Sequence, residues 1–312
     1  MDIAEIVKSQ PTFIKLLAGE FPHAVLFSSC DERLNEVTLI MSALSLSYPM
    51  FELFNEGSAE FLKVQNGADV DIKVYPKGDR LLVADSNEIV SEVYIKPALH
   101  ERKIFLIKNI DSSTEQAQNK LLKVLEEPPK NVYFLLSCAD ENLVLPTIKS
   151  RCQRVVLPKI PKEQFQKLAK KPLASMLADG YIGIYEKYEK KENLAEIADF
   201  AVGLVTNLKN SSEVLSFSVK LMAFKETDLI FEIYAKALED ILKLKAERED
   251  ILSLPIYKDA LKSVENEFSI GAICEINSLL ADFKRRKESN ASEQVSVEEL
   301  LLKILEVKYL CK

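Results

Sequence analysis

Short apolar runs alternate with amphipathic stretches through the first half of the chain. The runs 24–27 (AVLF), 81–84 (LLVA), 104–107 (IFLI), 132–136 (VYFLL) and 154–158 (RVVLP) read as strands. Several are continuously apolar, the pattern of parallel strands covered on both faces. Between them, Leu34, Val37, Met41 and Leu44 share one helical face, as do Ala117, Leu121 and Leu125. Strands separated by helices predict an α/β sheet with right-handed crossovers. Residues 75–82 (YPKGDRLL) predict a hairpin that turns at Lys77-Gly78-Asp79 into the strand 81–84.

Beyond residue 158 the strand signal fades. Residues 161–180 and 190–205 are charged and helix-favouring, short enough for a small helical domain. From about 208 the helices lengthen, and Ile230, Ile233, Ala237 and Ile241 recur at helical spacing within 228–250. Ser296 and Glu299 have the capping-box spacing that would open a last helix, after a polar loop at 287–296. The expected organisation is an α/β domain over 1–157, a small helical domain over 158–207 and a larger helical domain over 208–312.

Composition narrows the function classes. The chain has 312 residues, 47% hydrophobic and 29% charged, which are ordinary globular values. A formal net charge of −7 argues against a surface that grips nucleic acid throughout, while leaving room for a local basic patch. No run approaches a membrane span and residues 1–20 lack a signal-peptide layout, so the expected location is cytoplasmic. The five cysteines (Cys30, Cys138, Cys152, Cys274, Cys311) form no CxxC pair, and His23 and His100 are far apart in sequence, so no metal site and no zinc are expected.

The break after the first strand, Ser28-Ser29-Cys30-Asp31-Glu32-Arg33, falls where nucleotide-binding folds carry a glycine-rich phosphate cradle. No glycine lies between Gly19 and Gly57, and Asp31 and Glu32 would meet phosphate with like charge. An eroded cradle and an ordinary strand–helix turn both fit this stretch. After the strand 104–107 stand Lys108 and Asn109, where an NTPase needs carboxylates to organise magnesium and water. An ammonium group repels Mg²⁺ and an amide is no base. Residues Ser28, Ser29, Asp31, Lys108 and Asn109 therefore outline a degenerate nucleotide site, with no nucleotide or other cofactor expected in cis.

Residues 114–158 carry the most specific pattern. The run Ala117–Pro129 (AQNKLLKVLEEPP), the following strand and the LPTIKSRC ending at Cys152 closely resemble the clamp-loader AAA+ family; FPHAVLF (21–27) resembles that family's opening. The resemblance implies an AAA+ α/β domain with a RecA-like parallel sheet, a small helical lid and an all-α collar domain for oligomerisation. It further implies a non-catalytic, stator-like subunit of the loader that serves bacterial DNA polymerase III, with no ATPase of its own. The implied partners are gamma/tau ATPase subunits and a delta subunit, the sliding clamp, and primer-template DNA in the assembled complex. ATP and magnesium would sit in the neighbour.

By the same resemblance, the arginine of Ser150-Arg151-Cys152 is a finger that touches the γ-phosphate bound by the adjacent subunit. A guanidinium suits that task because it stays charged and offers a planar fork of donors. Ser150, Cys152, Glu126 and Glu127 are the candidate ring-interface residues. Glu126 and Glu127 oppose the macrodipole at a helix end, which costs a few tenths of a kcal/mol; a solvated acidic end explains them equally well. Ser113 and Gln116 can cap the start of this helix, and Pro128 and Pro129 stop it. Lys120 and Lys123 are candidate DNA contacts, or simply solvated helix positions.

The chain departs from the family pattern in two places. The zinc insertion would fall near residues 48–65, where there is no cysteine, and Asn207 stands about where active subunits keep a phosphate-sensing arginine. Ser137 and Cys138 occupy the polar position of the sensor strand and, with no nucleotide in cis, are expected to be structural. Two alternatives remain open from sequence: an ATP-hydrolysing gamma/tau-type subunit with an unusual loop, and an AAA+-like scaffold of another complex.

Overall fold

A computed structural model describes residues 2–161, 165, 169–286 and 293–310. The chain forms two compact units, one of residues up to Leu168 with Gly180–Glu186, the other of Ala169–Asp179 with Lys187 onward.

In the first unit, helices α1 (Ile3–Ser9) and α2 (Pro11–Leu17) precede β1 (Ala24–Ser28) and α3 (Glu32–Ser47). Then come α4 (Ala59–Gln65), β2 (Ile72–Tyr75), α5 (Val83–Glu92), β3 (Lys103–Ile107) and α6 (Glu115–Glu126). Strand β4 (Val132–Cys138), the short α7 (Pro146–Lys149) and β5 (Gln153–Val156) complete the sheet. Its order is β2-β3-β4-β1-β5, with every pair parallel. Central strands are buried on both faces, hence their unbroken apolar runs. Phe105 of β3 stacks on Phe134 of β4 at 5.4 Å between ring centroids, and Leu121 and Leu125 of α6 belong to the same core.

Three sequence expectations are corrected. Residues 81–84 are no strand and there is no hairpin: Leu81 is buried just before α5, and the Asp85 carboxylate accepts the Leu82 N–H at 2.8 Å, which starts a helix instead. The strand in that region is β2, whose Ile72 registers with Ile104. Ser113 does not cap α6; Thr114 does, its side chain accepting the Ala117 N–H at 3.3 Å, while the Ser113 hydroxyl donates back to the Ile110 carbonyl. Ser296 opens no helix, because it lies inside one that already includes Glu293. Of the expected loop 287–296, residues 293–296 are helical and 287–292 lie outside the described residues, as do most of 162–168 and Cys311.

The second unit is helical: α8 (Pro172–Ala178), then, after α9 (Ile182–Glu189), α10 (Leu194–Asn207), α11 (Ser211–Phe224), α12 (Thr227–Lys245), α13 (Lys258–Val264), α14 (Ile270–Arg286) and α15 (Glu293–Leu310). Ile230, Ile233, Ala237 and Ile241 form the buried stripe of α12 that their spacing predicts. Asp240 on that helix is fully buried and accepts the Ser253 and Leu254 amides at 2.8 and 2.7 Å. Among the described residues no helix is long and apolar enough to cross a membrane.

Candidate functional site

Protein groups take up the main polar atoms of the turn between β1 and α3. Asp31 caps α3 and is only 3% exposed. Its carboxylate accepts the Arg33 and Leu34 amides at 3.1 and 3.2 Å, as an N-cap should. It also accepts the Gly183 amide at 3.1 Å and that of Ile182, both at the start of α9. The Ser29 hydroxyl accepts the Asp31 amide at 3.1 Å, and Asn35 donates to the carbonyls of Ser29 and Cys138 at 2.8 and 3.1 Å. Ser28 ends β1, and its carbonyl accepts the Leu157 amide at 2.9 Å. A glycine-rich loop presents free amides to phosphate. Here a carboxylate already holds those at the head of α3.

The cations nearby are bound too. Lys108 pairs with Glu36 at 2.8 Å, and Arg33 pairs with Glu36 at 2.8 Å, with Glu56, and with Glu186 at 3.5 Å. Burial would raise the Glu36 pKa, but Lys108 and Arg33 outweigh it and hold it below the usual carboxylate range. Burial would likewise lower that of Arg33, but Glu56, Glu36 and Glu186 raise it. For Glu56 burial wins, raising its pKa despite the Ile3 amide and Arg33. Counting Asp31, four carboxylates here face two cations, so the local field opposes a triphosphate. Asn109 has the left-handed φ of 48° that asparagine tolerates, and donates its amide to the Ser137 hydroxyl at 3.1 Å. Burial pushes the Cys138 thiol up to about 11.

Arg151 follows α7. Its Nη1 donates to the Thr147 carbonyl at 3.0 Å and lies 3.4 Å from the Ser150 hydroxyl; Nη2 is 3.1 Å from Glu126. Nε is buried with no hydrogen-bond partner among the described residues. Ser150 is exposed and donates to the Thr147 carbonyl at 3.0 Å. Cys152 is the exception among the expected interface residues. It turns into the core at 8% exposure, where burial pushes its thiol to about 12. Glu126 and Glu127 are both exposed at the end of α6, and only Glu126 has an ion pair among the described residues. Lys120 and Lys123 project from α6 beside Gln116 and Asn119, all exposed. Asn207 is the last residue of α10, in the second unit.

Just beyond residues 48–65, at the entry to β2, carboxylates tie the backbone. Asp71 accepts the amides of Ala98, Leu99 and His100 at 2.7, 2.6 and 2.8 Å. Asp69 accepts those of Asp71 and Ile72 at 2.9 and 3.1 Å and pairs with Lys63 at 3.1 Å. Among the described residues no cluster of His, Cys, Asp and Glu is arranged to hold a metal ion. The sequence reading missed these aspartates, and also Arg33, Glu36, Glu56, Glu186 and Gly183. The i,i+3 spacing of Arg33 and Glu36 was the one local signal available.

A five-stranded parallel sheet of order β2-β3-β4-β1-β5 with flanking helices, joined to further helices, is a RecA-like α/β architecture. The family profile described as DNA polymerase III, delta subunit, matches residues 12–161. The chain is 28% identical to the delta' subunit of DNA polymerase III from Bacillus subtilis strain 168, over 97% of this chain and 98% of that protein. It is also 28% identical to the gamma subunit from Buchnera aphidicola subsp. Schizaphis graminum over 61% of this chain, and the match spans only 56% of the gamma subunit's length. A gamma-subunit-related protein of Thermotoga maritima matches 98% of this chain at a TM-score of 0.50 and 18% identity, a likeness of fold alone. By these matches the chain is similar to the delta' and gamma subunits of DNA polymerase III.

Proposed function

We propose that this chain is a delta-prime-type subunit of a DNA polymerase III clamp loader that neither binds nor hydrolyses ATP. It presents Arg151 to the nucleotide held by a neighbouring gamma/tau-type subunit. The observation that carries the reading is the Asp31 carboxylate at the head of α3, with Arg33 and Lys108 already paired. A fold that keeps its sheet but fills its phosphate site with its own carboxylate serves as a presenter of surface groups. Similarity to a delta' subunit over nearly the full length of both chains supports the same assignment.

On this reading the partners are gamma/tau and delta subunits, and the task is to place a sliding clamp on primed DNA. Lys120 and Lys123 on the exposed face of α6 would contact the duplex backbone. Similarity to gamma subunits favours a second reading, an ATP-hydrolysing motor. Equilibrium binding of labelled Mg-ATP to the isolated chain separates the two. No saturable binding at millimolar nucleotide is expected; micromolar affinity with turnover would establish the motor instead.

A further inference from the structure

Asp31 does more than cap one helix. Its carboxylate gathers four backbone amides from two places 150 residues apart in sequence: Arg33 and Leu34 at the head of α3, and Ile182 and Gly183 at the head of α9. A terminal oxyanion shared by two helix starts is the arrangement a bound phosphate makes, because both macrodipoles and all four donors converge on negative charge. Here the oxyanion is covalently part of the chain. The approach is close on the far side: a Cβ at Gly183 would lie 3.0 Å from Asp31 Oδ1 and 3.2 Å from the Arg33 Cβ, so a larger residue would displace the carboxylate by a few tenths of an ångström. The turn into this segment is specific, since Gly180 has a φ of +85° and a Cβ there would meet the Ile160 carbonyl at 2.7 Å. Glu186, one turn along α9, then reaches Arg33 at 3.5 Å.

We infer that Asp31 is a built-in ligand that clasps the segment Gly180–Glu186 to the β1–α3 turn and so makes that junction independent of nucleotide. The inference rests on the reading that the chain's own pocket takes no ATP, and deepens it: the phosphate position is filled, and what a ligand would hold together is held without one. The surrounding charges agree. Glu36, Glu56 and Glu186 outnumber Arg33 and Lys108, so no external anion is favoured beside the carboxylate.

The test uses the full chain and follows amide hydrogen exchange residue by residue. Asp31→Ser keeps a good N-cap for α3 but is too short and uncharged to span to α9. In that variant the Ile182 and Gly183 amides should exchange on the order of ten- to a hundredfold faster, the loss expected for hydrogen bonds to a charged group, while Val37–Ile40 within α3 stay protected. Asp31→Asn, which retains one acceptor oxygen at the same reach, should fall between the two and serves if the serine variant does not fold. Unchanged exchange at Ile182 and Gly183 in the folded variants would overturn the clasp. In the wild-type chain, Mg-ATP should leave exchange across 180–186 unaltered. Slowing by Mg-ATP would instead overturn the underlying reading of a pocket without nucleotide, an outcome the variant data alone cannot produce.

Discussion

The Arg151 guanidinium and the Glu126 carboxylate lie 3.1 Å apart, joining the end of α7 to the end of α6. Glu126 sits in the last turn of α6, where its charge opposes the helix dipole. The ion pair offers Glu126 local compensation, whereas Glu127 has no ion pair among the described residues. With 58% of the Glu126 side chain exposed, such a pair contributes at most about 1 kcal/mol. Replacing Arg151 with alanine should therefore shift the urea midpoint of the isolated chain by no more than about 1 kcal/mol equivalent. A much larger loss would mean that the arginine is there to hold the fold.

Lys108 and Glu36 make a different kind of pair, less than a third exposed on either side and shared with Arg33. Lys108→Ala leaves a half-buried carboxylate short of one partner and should destabilise by about 1–3 kcal/mol. In the Lys108→Ala, Glu36→Gln double variant part of that loss should be recovered, since the stranded charge is gone. A double-mutant cycle by chemical denaturation measures the coupling.

Acid should loosen the segment around β2 through Asp69 and Asp71. Burial alone would raise both pKa values, but the amides around Asp71, and the amides and Lys63 around Asp69, bring both below the ordinary aspartate value of 3.8. The sign follows from linkage: a depressed folded-state pKa gives stability that is fully present above the unfolded value and is lost as pH falls through the folded one. Asp71→Asn should cost on the order of 2 kcal/mol at neutral pH, from weaker bonds to three amides. That difference should shrink below about pH 3.8, and denaturation of both proteins across this range checks it.

Lys120 and Lys123 have no ion-pair partner among the described residues, unlike Arg33, Lys108 and Arg151. If they meet phosphates in the assembled loader, each substitution by alanine should weaken primer-template binding evenly across sequences. It should also lower the salt slope of log K by about one per lysine. Fluorescence anisotropy at several salt concentrations supplies both numbers.

Helix α6 and strand β4 were legible in the sequence because their patterns are long: Ala117, Leu121 and Leu125 fix a helical face, and 132–136 is a continuous buried run. Residues 81–84 misled because four apolar residues fit a strand or a helix entry equally. The deciding contact, Asp85 to the Leu82 amide, is a capping detail. Strand β2 went unseen because Lys73 interrupts it and only pairing with β3 makes it a strand. The misplaced side chains of Asp31, Lys108 and Asn109 were visible in the sequence, but not what answers the charged ones. Glu36 is signalled by its i,i+3 spacing from Arg33, but Glu56 and Glu186 come from distant segments, and no local pattern announces that they converge on the same guanidinium. Cys152 was a candidate ring-interface residue, and its side chain belongs to the same core cluster as Ile148.

The central claim is tested most directly by the ATPase rate of a reconstituted loader carrying Arg151→Ala, measured with clamp and primed DNA present. Assembly should be intact while hydrolysis by the neighbouring subunit falls, by as much as the roughly 10³–10⁵-fold associated with arginine fingers. A fully assembled loader that hydrolyses ATP at the wild-type rate without this guanidinium would contradict the account.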